Sequence, residues 1–334
     1  MTIDIRLLRQ VLALSKHRNF ARAAESLHIS QPALSRSIAG LEQSLGVQLF
    51  DRTPGGVEPT KCGQAVIDRG HEILQKEREL RREIFLIQGI EVGELSIGAG
   101  PFPFEISVSH AVARLITRYP KLQVRIDKDS PPAIVNRVLT GDIDIGVADI
   151  RHCEEFARLT VELLPEHAVA CCCRRGHPLA GRRSLSLDDL LDFPIVGTVM
   201  PPALAALLSR GHAAGRVNED TKNFHPAITV DSLSAARNIA LGCDALLPIT
   251  LGYIARELES GDLVILDFTA PWMHNQYGFI SMKDRTHSPG AMEFMARMRE
   301  VEGEAIELEA RLFAAYSNFS NTSGGKALVF NCIN

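Results

Sequence analysis

The chain is poor in aromatic side chains, which make up 6% of its 334 residues and include a single tryptophan. It contains no uninterrupted apolar run near the ~20 residues that a membrane-spanning helix needs, and its first residues carry no apolar leader. A protein of the cytoplasm with no membrane partner is therefore expected. The nucleophile elbow GxSxG, the zinc motif HExxH, the P-loop and the dinucleotide motif GxGxxG are all missing. The seven cysteines form no CxxC pair, and no histidine stands at metal-ligand spacing from them. The histidines, among them His110, His152, His167, His177, His225 and His274, are scattered and assemble no nucleophile with its base. Neither an enzyme nor a metal or cofactor protein is expected.

What is present fits a globular protein of two or three domains, with 46% hydrophobic and 23% charged residues. The net charge of −4 conceals an asymmetry. Residues 1–90 carry 13 Lys and Arg against 10 Asp and Glu, and the remainder carries 23 against 30. Such a small basic excess implies that any nucleic-acid affinity depends on dimerisation and a few placed contacts.

Residues 20–50 read as a helix, a tight turn and a second helix. The first helix is expected over 21–27, where the small pair Ala23-Ala24 permits a close crossing and Leu27 and Ile29 fill the space beneath. Ser30 sits where an N-cap belongs, with Pro32 in the first turn of the next helix. Leu34, Ile38, Leu41 and Leu45 then form one buried stripe. That leaves Gln31, Pro32, Ser35, Arg36 and Ala39 outward, and Gln and Arg can pair bidentately with adenine and guanine. Arg52 precedes the turn Thr53-Pro54-Gly55-Gly56, which is expected to fold back as a small wing and to place Arg52 at a phosphate or the minor groove.

At this point the chain resembles the LysR-type bacterial transcription regulators. The resemblance rests on A-A-x-x-L-x-x-S-Q-P-A-L-S-R at 23–36 and L-E-x-x-L-G-x-x-L-F-x-R at 41–52, and continues through Thr60 and Gly63. Departures are Gly40, Pro59, Cys62 and Glu58, the last of which weakens phosphate attraction at the wing. The resemblance implies an α/β fold class: a winged helix-turn-helix at 1–60, a dimerising linker helix at 61–89 and a two-lobed effector domain like the periplasmic binding proteins at 94–312. It implies promoter-region double-stranded DNA, a small-molecule effector, a second copy of the chain (as dimer or tetramer) and RNA polymerase as partners.

The residues beyond the motif agree. Positions 61–88 read as one helix, a rod of ~42 Å, with Val66, Ile73, Leu80 and Ile87 recurring every seven residues and Ile84 adding to the stripe. Strands are expected at 95–99, 122–126 and 143–148 and helices at 105–119 and 132–140, which predicts parallel sheets with crossover helices. A stretch at 159–174 leads outward to a second lobe inserted at about 165–265. Its strands are expected at 194–197, 227–230, 245–248 and 263–265, before a returning strand at 277–282. A terminal helix is expected over 288–312, and residues 313–334 read as a mobile tail. Cys171 to Cys173 fall in a strand-like run, where small buried side chains are expected, with a thiol sensor as the alternative.

Ligands in such folds collect where strands end and helices begin. Four turns qualify: Gly100-Pro101-Phe102-Pro103, Ser130-Pro131-Pro132, Thr198 to Pro202, and Thr229-Val230-Asp231-Ser232. Gly100, Phe102, Ser130, Thr198, Asp231 and Ser232 are the candidate effector residues. Proline has no N–H to offer an anion, and three of the four turns contain two prolines, so a neutral or partly aromatic effector is expected; proline also simply marks helix starts. A solute-binding or enzymatic α/β protein remains the alternative from another class.

Overall fold

The computed structural model describes residues 4–53, 56–88, 93–149, 157–211, 213–283 and 285–316. In the N-terminal part, helices α1 (Ile5–His17), α2 (Phe20–Ser26) and α3 (Gln31–Leu45) precede a hairpin of β1 (Phe50–Thr53) and β2 (Gly56–Pro59). Side chains supply each helix start: Asp4 accepts from the Arg6 N–H, Asn19 from those of Ala21 and Arg22, and Ser30 from that of Ala33. Asn19 explains why α2 begins one residue earlier than expected, and Leu27 is its C-cap rather than its last turn. Ala23, Ala24, Leu34, Ile38 and Leu41 are buried together with Val11 and Leu14 of α1.

The long helix α4 (Lys61–Gln88) has the expected bounds. Its first half packs on its own domain, with Ile67 and Leu74 buried and Gly70 facing Leu8 and Leu12 of α1. The heptad stripe emerges on another side, where Ile73, Leu80 and Ile84 are 46%, 59% and 45% exposed; the Ile87 side chain lies outside the described residues. One helix thus has two apolar faces, where the heptad alone suggested one.

The effector part begins with β3 (Gly93–Ala99), α5 (Pro101–Pro103), a π-helical turn (Phe104–Val108) and α6 (Ser109–Arg118). It continues through β4 (Leu122–Lys128), α7 (Pro131–Leu139), β5 (Ile145–Ala148) and β6 (Leu159–Leu163). The chain then crosses into β7 (His167–Arg174), α8 (Leu187–Leu191), β8 (Val196–Gly197), α9 (Pro202–Leu208), β9 (Gly215–Val217), β10 (Phe224–Pro226) and β11 (Ile228–Thr229). Next come α10 (Leu233–Gly242), β12 (Leu247–Thr250), a 3-10 turn (Leu251–Ile254), α11 (Ala255–Ser260), β13 (Leu263–Ile265) and β14 (His274–Asn275). The chain returns through β15 (Gly278–Met282) to α12 (Pro289–Tyr316).

The first lobe holds a five-stranded sheet of order β4-β3-β5-β15-β6. Its first three strands are parallel, but β15 pairs antiparallel with both β5 and β6. In the second lobe β12, β13 and β14 all run antiparallel to β7, while β8 and β11 form a short parallel pair. The expected parallel sheets are therefore only partly present, because strands entering and leaving the inserted lobe must reverse direction. That insertion extends to β14, beyond the expected boundary near 265. The expected helix at 105–119 starts at Pro101, and the strand expected from Ile143 starts at Ile145, where the Asp144 carboxylate turns back to the Ser96 N–H and hydroxyl. Lobe I closes over Leu95, Ile97, Val147, Phe279 and Phe294. Helix α12 belongs to both lobes: Phe294 and Met298 enter the first core and Leu312 the second. It runs to Tyr316, so the helix takes in the first residues of the expected tail; residues 317–334 lie outside the described residues.

Thr60 and Gly63 join the wing to α4. The Thr60 hydroxyl donates to the Gln48 carbonyl and accepts from the Gly63 N–H. A Cβ on Gly63 would stand 1.9 Å from the Leu49 carbonyl oxygen, a backbone atom that cannot yield cheaply. Gly63→Ala is therefore expected to destabilise the N-terminal domain by at least about 2 kcal/mol through overpacking, read as a lower thermal midpoint for that domain alone.

Candidate nucleic-acid interface and effector cleft

The outward face of α3 is built by its cap and its stripe. Ser30 holds the Ala33 N–H at 3.4 Å, and Gln31, Pro32 and Arg36 are exposed while Ser35 is half-buried. With Leu34, Ile38 and Leu41 anchoring the opposite side, the N-terminal half of α3 projects a polar row backed by the positive end of the helix dipole. The wing is fixed to the rest of the domain by contacts that sequence reasoning did not reach. The Glu42 carboxylate accepts from the Leu49 and Phe50 N–H groups at 2.7 and 3.2 Å, tying α3 to β1. The Val57 N–H donates to the carbonyl of Arg18, a residue in the left-handed region at φ 48°. Glu42 lies inside the L-E-x-x-L-G phrase, which marked the position without revealing its role. Arg52 pairs with Val57 through the hairpin register; its side chain lies outside the described residues.

The candidate effector residues gather only in part. Gly100 is buried and donates its N–H to the Val147 carbonyl. Phe102 leans from lobe I onto the core of lobe II, beside Ile106. Asp231 is exposed, and its backbone carbonyl accepts from Lys128 Nζ at 2.6 Å across the lobe junction. Ser232 caps α10 through the Ala235 N–H and bonds the Ser234 hydroxyl. Ser130 starts α7 two residues after Lys128 and is exposed; Thr198 is half-buried directly after β8. Lys128, which also lies 5.8 Å from the Phe104 ring centroid, and Glu105 are cleft-side residues that no local motif announced. Glu105 accepts from the Leu233 and Ser234 N–H groups at 2.9 and 3.1 Å and from the Tyr253 hydroxyl at 2.7 Å.

Where the two crossing segments pass between lobes, a buried polar cluster joins them. His167 lies between two carboxylates of α12, with Nε2 2.7 Å from Glu302 and Nδ1 3.0 Å from Glu309. The Tyr277 hydroxyl donates to Glu302 at 3.0 Å, lies 2.9 Å from His167 Nε2 and meets the Ser107 hydroxyl at 3.0 Å. All five side chains are buried. Only an imidazolium can donate from both ring nitrogens at once. Burial alone would discharge the ring, but the hydrogen bonds to Glu302 and Glu309 outweigh it and lift His167 to about 9. The cysteine run is of the opposite kind. Cys171, Cys172 and Cys173 are buried on β7, and desolvation raises all three thiols, Cys173 to about 12. Thiols so disfavoured as thiolates are poor redox sensors. Cys153 and Cys332 lie outside the described residues. No set of three side chains placed to hold a metal ion occurs among the described residues.

A winged helix-turn-helix carried on a long helix and followed by a two-lobed α/β domain defines a DNA-binding regulator with an effector domain. Comparison with known proteins makes the class specific. Residues 5–64 match the family described as bacterial regulatory helix-turn-helix protein, lysR family, and residues 88–303 match the LysR substrate binding domain. The chain belongs to the LysR family: it is a DNA-binding transcriptional regulator with a substrate-binding domain, and not an enzyme. It is 36% identical over 293 residues to the SDS degradation transcriptional activation protein of Pseudomonas sp. (strain ATCC 19151), covering 86% of this chain and 93% of that protein. It is 28% identical over 300 residues to the HTH-type transcriptional regulator GbpR of Azospirillum brasilense, covering 89% and 86%. The crystal structure of full-length CbnR complexed with its target DNA shares the fold, with a TM-score of 0.55 and 20% identity over 90% of this chain and 100% of that chain. Regulators of this family bind DNA and small-molecule effectors and oligomerise. Among the described residues, no helix is long and apolar enough to cross a membrane.

The imidazolium cluster has a pH signature. A histidine raised from 6.5 to about 9 contributes stability that is fully present below 6.5 and lost as pH rises through about 9. The stability difference between the wild type and His167→Gln, followed by thermal unfolding from pH 6 to 10, is expected to narrow over that range. A difference that stays constant would show that the imidazolium is not what holds the cluster.

Proposed function

We propose that this regulator reads a two-fold-symmetric promoter site through Ser30, Gln31, Pro32, Ser35 and Arg36, with Arg52 on a backbone phosphate or in the minor groove. The observation that carries the reading is the exposed polar row on the N-terminal half of α3, held outward by three buried residues. Exposed Ile73, Leu80 and Ile84 suit pairing of two linker helices, and two such dimers would form a tetramer. An effector taken between the lobes, beside Gly100, Phe102, Ser130, Thr198, Asp231 and Ser232, changes the lobe angle and so the setting of the paired DNA-binding domains. The regulator works in the cytoplasm and acts on RNA polymerase at the promoter. The Pseudomonas relative is named for SDS degradation, which makes alkyl sulfates and long-chain alcohols the first compounds to titrate.

Footprinting on DNA upstream of the protein's own gene tests the assignment. Arg36→Ala is expected to cost about 1–3 kcal/mol on the specific site and to blur its sequence preference. Arg52→Ala is expected to weaken binding to specific and scrambled duplexes alike, and unchanged affinity on the scrambled duplex would remove its phosphate role. Leu80→Asp places a charge in the linker stripe. Sedimentation is expected to show a shift toward monomer and footprinting a loss of affinity for the full site; an unchanged mass would move the dimer contact elsewhere.

A further inference from the structure

The helix starts at the lobe junction offer an anion few backbone donors. Proline occupies the first helical positions of α5, α7 and α9 and removes their leading N–H groups. In α10, which starts without proline, the N–H groups of Leu233 and Ser234 are already bonded to the Glu105 carboxylate. Recognition of a charged group therefore falls to side chains, and Lys128 is placed for it. Lys128 ends β4 opposite Ala99 of β3, and the Asp129 N–H donates to the Ala99 carbonyl, so this turn adjoins Gly100. The Lys128 ammonium reaches the other lobe, 2.6 Å from the Asp231 carbonyl and 5.8 Å from the Phe104 ring centroid. Asp231 stands two residues beyond Thr229, which pairs with Gly197 at the end of β8, and Thr198 and Val199 follow Gly197. One side chain thus ties together the turns after β3, β4, β8 and β11.

The donors gathered there are largely unspent. An ammonium carries three N–H groups, of which the Asp231 carbonyl takes one. Among the described residues no carboxylate pairs with Lys128; that of Asp129 accepts from the Ser130 N–H at 2.8 Å instead. Ser130 stands at the N-cap of α7, yet its hydroxyl caps nothing, unlike those of Ser30, Ser186 and Ser232 on their helices. The Thr198 hydroxyl likewise bonds no described residue. Apolar surface lies beside these donors: Val199 is 40% exposed, and Phe102 leans onto the core of lobe II.

We infer that Lys128 is the specificity-determining residue of the interlobe cleft and selects an effector with an anionic head, a sulfate or a carboxylate, on an alkyl chain. The inference rests on the reading that the effector binds between the lobes. It reverses the uncharged effector that the prolines suggested, because a side chain supplies the donor that the backbone lacks. The anionic head takes Lys128 in a charge-assisted hydrogen bond stronger than the one to a neutral carbonyl, with the Ser130 and Thr198 hydroxyls as further donors and the alkyl chain toward Phe102 and Val199. Among the compounds suggested above, the assignment favours an alkyl sulfate over a long-chain alcohol. Lys128 belongs to lobe I and its present partner to lobe II, so the exchange also removes one tie between the lobes.

The test is calorimetric titration of the full chain with three probes of equal chain length, sodium octyl sulfate, sodium octanoate and 1-octanol, at equal ionic strength and below micelle formation. At least one anion is expected to bind saturably and about tenfold more tightly than 1-octanol, and the two anions distinguish a sulfate from a carboxylate head. Lys128→Met keeps the apolar stem and loses the charge. It is expected to lower the affinity for the anion about tenfold and to leave that for 1-octanol within about twofold, while Lys128→Arg retains the preference. The inference is overturned if wild type binds neither anion, if 1-octanol binds as tightly, or if Lys128→Met leaves anion binding unchanged. Equal weakening of all three probes by Lys128→Met would make the residue a structural tie and overturn it as well. Failure of the interlobe reading is a separate result: anion binding would then be insensitive to Thr198→Val and Phe102→Ala as well as to Lys128→Met, whereas sensitivity to the first two alone removes only the role of Lys128.

Discussion

A protonated imidazole held between two carboxylates at the junction of the lobes is the interaction on which the effector domain depends. Buried charge is expensive, and a buried pair is not by itself evidence of net stability. Its position explains its use. His167 begins the first strand of the inserted lobe, Tyr277 immediately precedes the returning strand, and Glu302 and Glu309 lie on the one helix that belongs to both cores. Ser107 adds the π-helical turn of lobe I. Directional bonds among five buried groups specify one arrangement of the two crossing segments, where apolar contacts would tolerate small slides. Removing one member leaves the others uncompensated, so the lobes are joined by an element that resists gradual loosening.

The π-helical turn extends the same logic outward. From four consecutive residues, Phe104 meets Lys128, Glu105 holds the start of α10, Ile106 packs on the second core and Ser107 enters the buried cluster. An effector that alters the lobe angle must therefore work against, or around, a single short segment. In the N-terminal domain Glu42 and the Thr60–Gly63 joint do a comparable task, fixing the wing to α3 and to the linker helix. A change in the linker is then transmitted to α3 as the movement of one packed unit.

Much of this was legible in the residues. The cap at Ser30, the buried stripe Leu34, Ile38 and Leu41, and the full extent of α4 follow from contacts within a few positions of each other, whereas the cap at Asn19 was missed. Most strand positions in the effector domain were read to within a few residues, but the short β9, β10 and β14 were not, and the parallel direction held only for β4-β3-β5 and β8-β11. Periodicity registers which side chains are buried and is silent on whether neighbouring strands run parallel. The linker's second apolar face was likewise missed, because Ile67 and Leu74 acquire meaning only once α1 is laid beside them.

The sequence by itself determined the helix-turn-helix, its outward row and the length of the linker, since helix caps and apolar spacing act between residues adjacent along the chain. It also marked the four turns and their prolines. Only the tertiary structure decided what fills those turns and what holds the lobes. Glu105 meets α10 across 128 positions, and His167 meets Glu302 across 135. A carboxylate carries no local sign of the distant N–H or imidazole that it will satisfy; that pairing exists only after the chain has left the first lobe, built the second and returned.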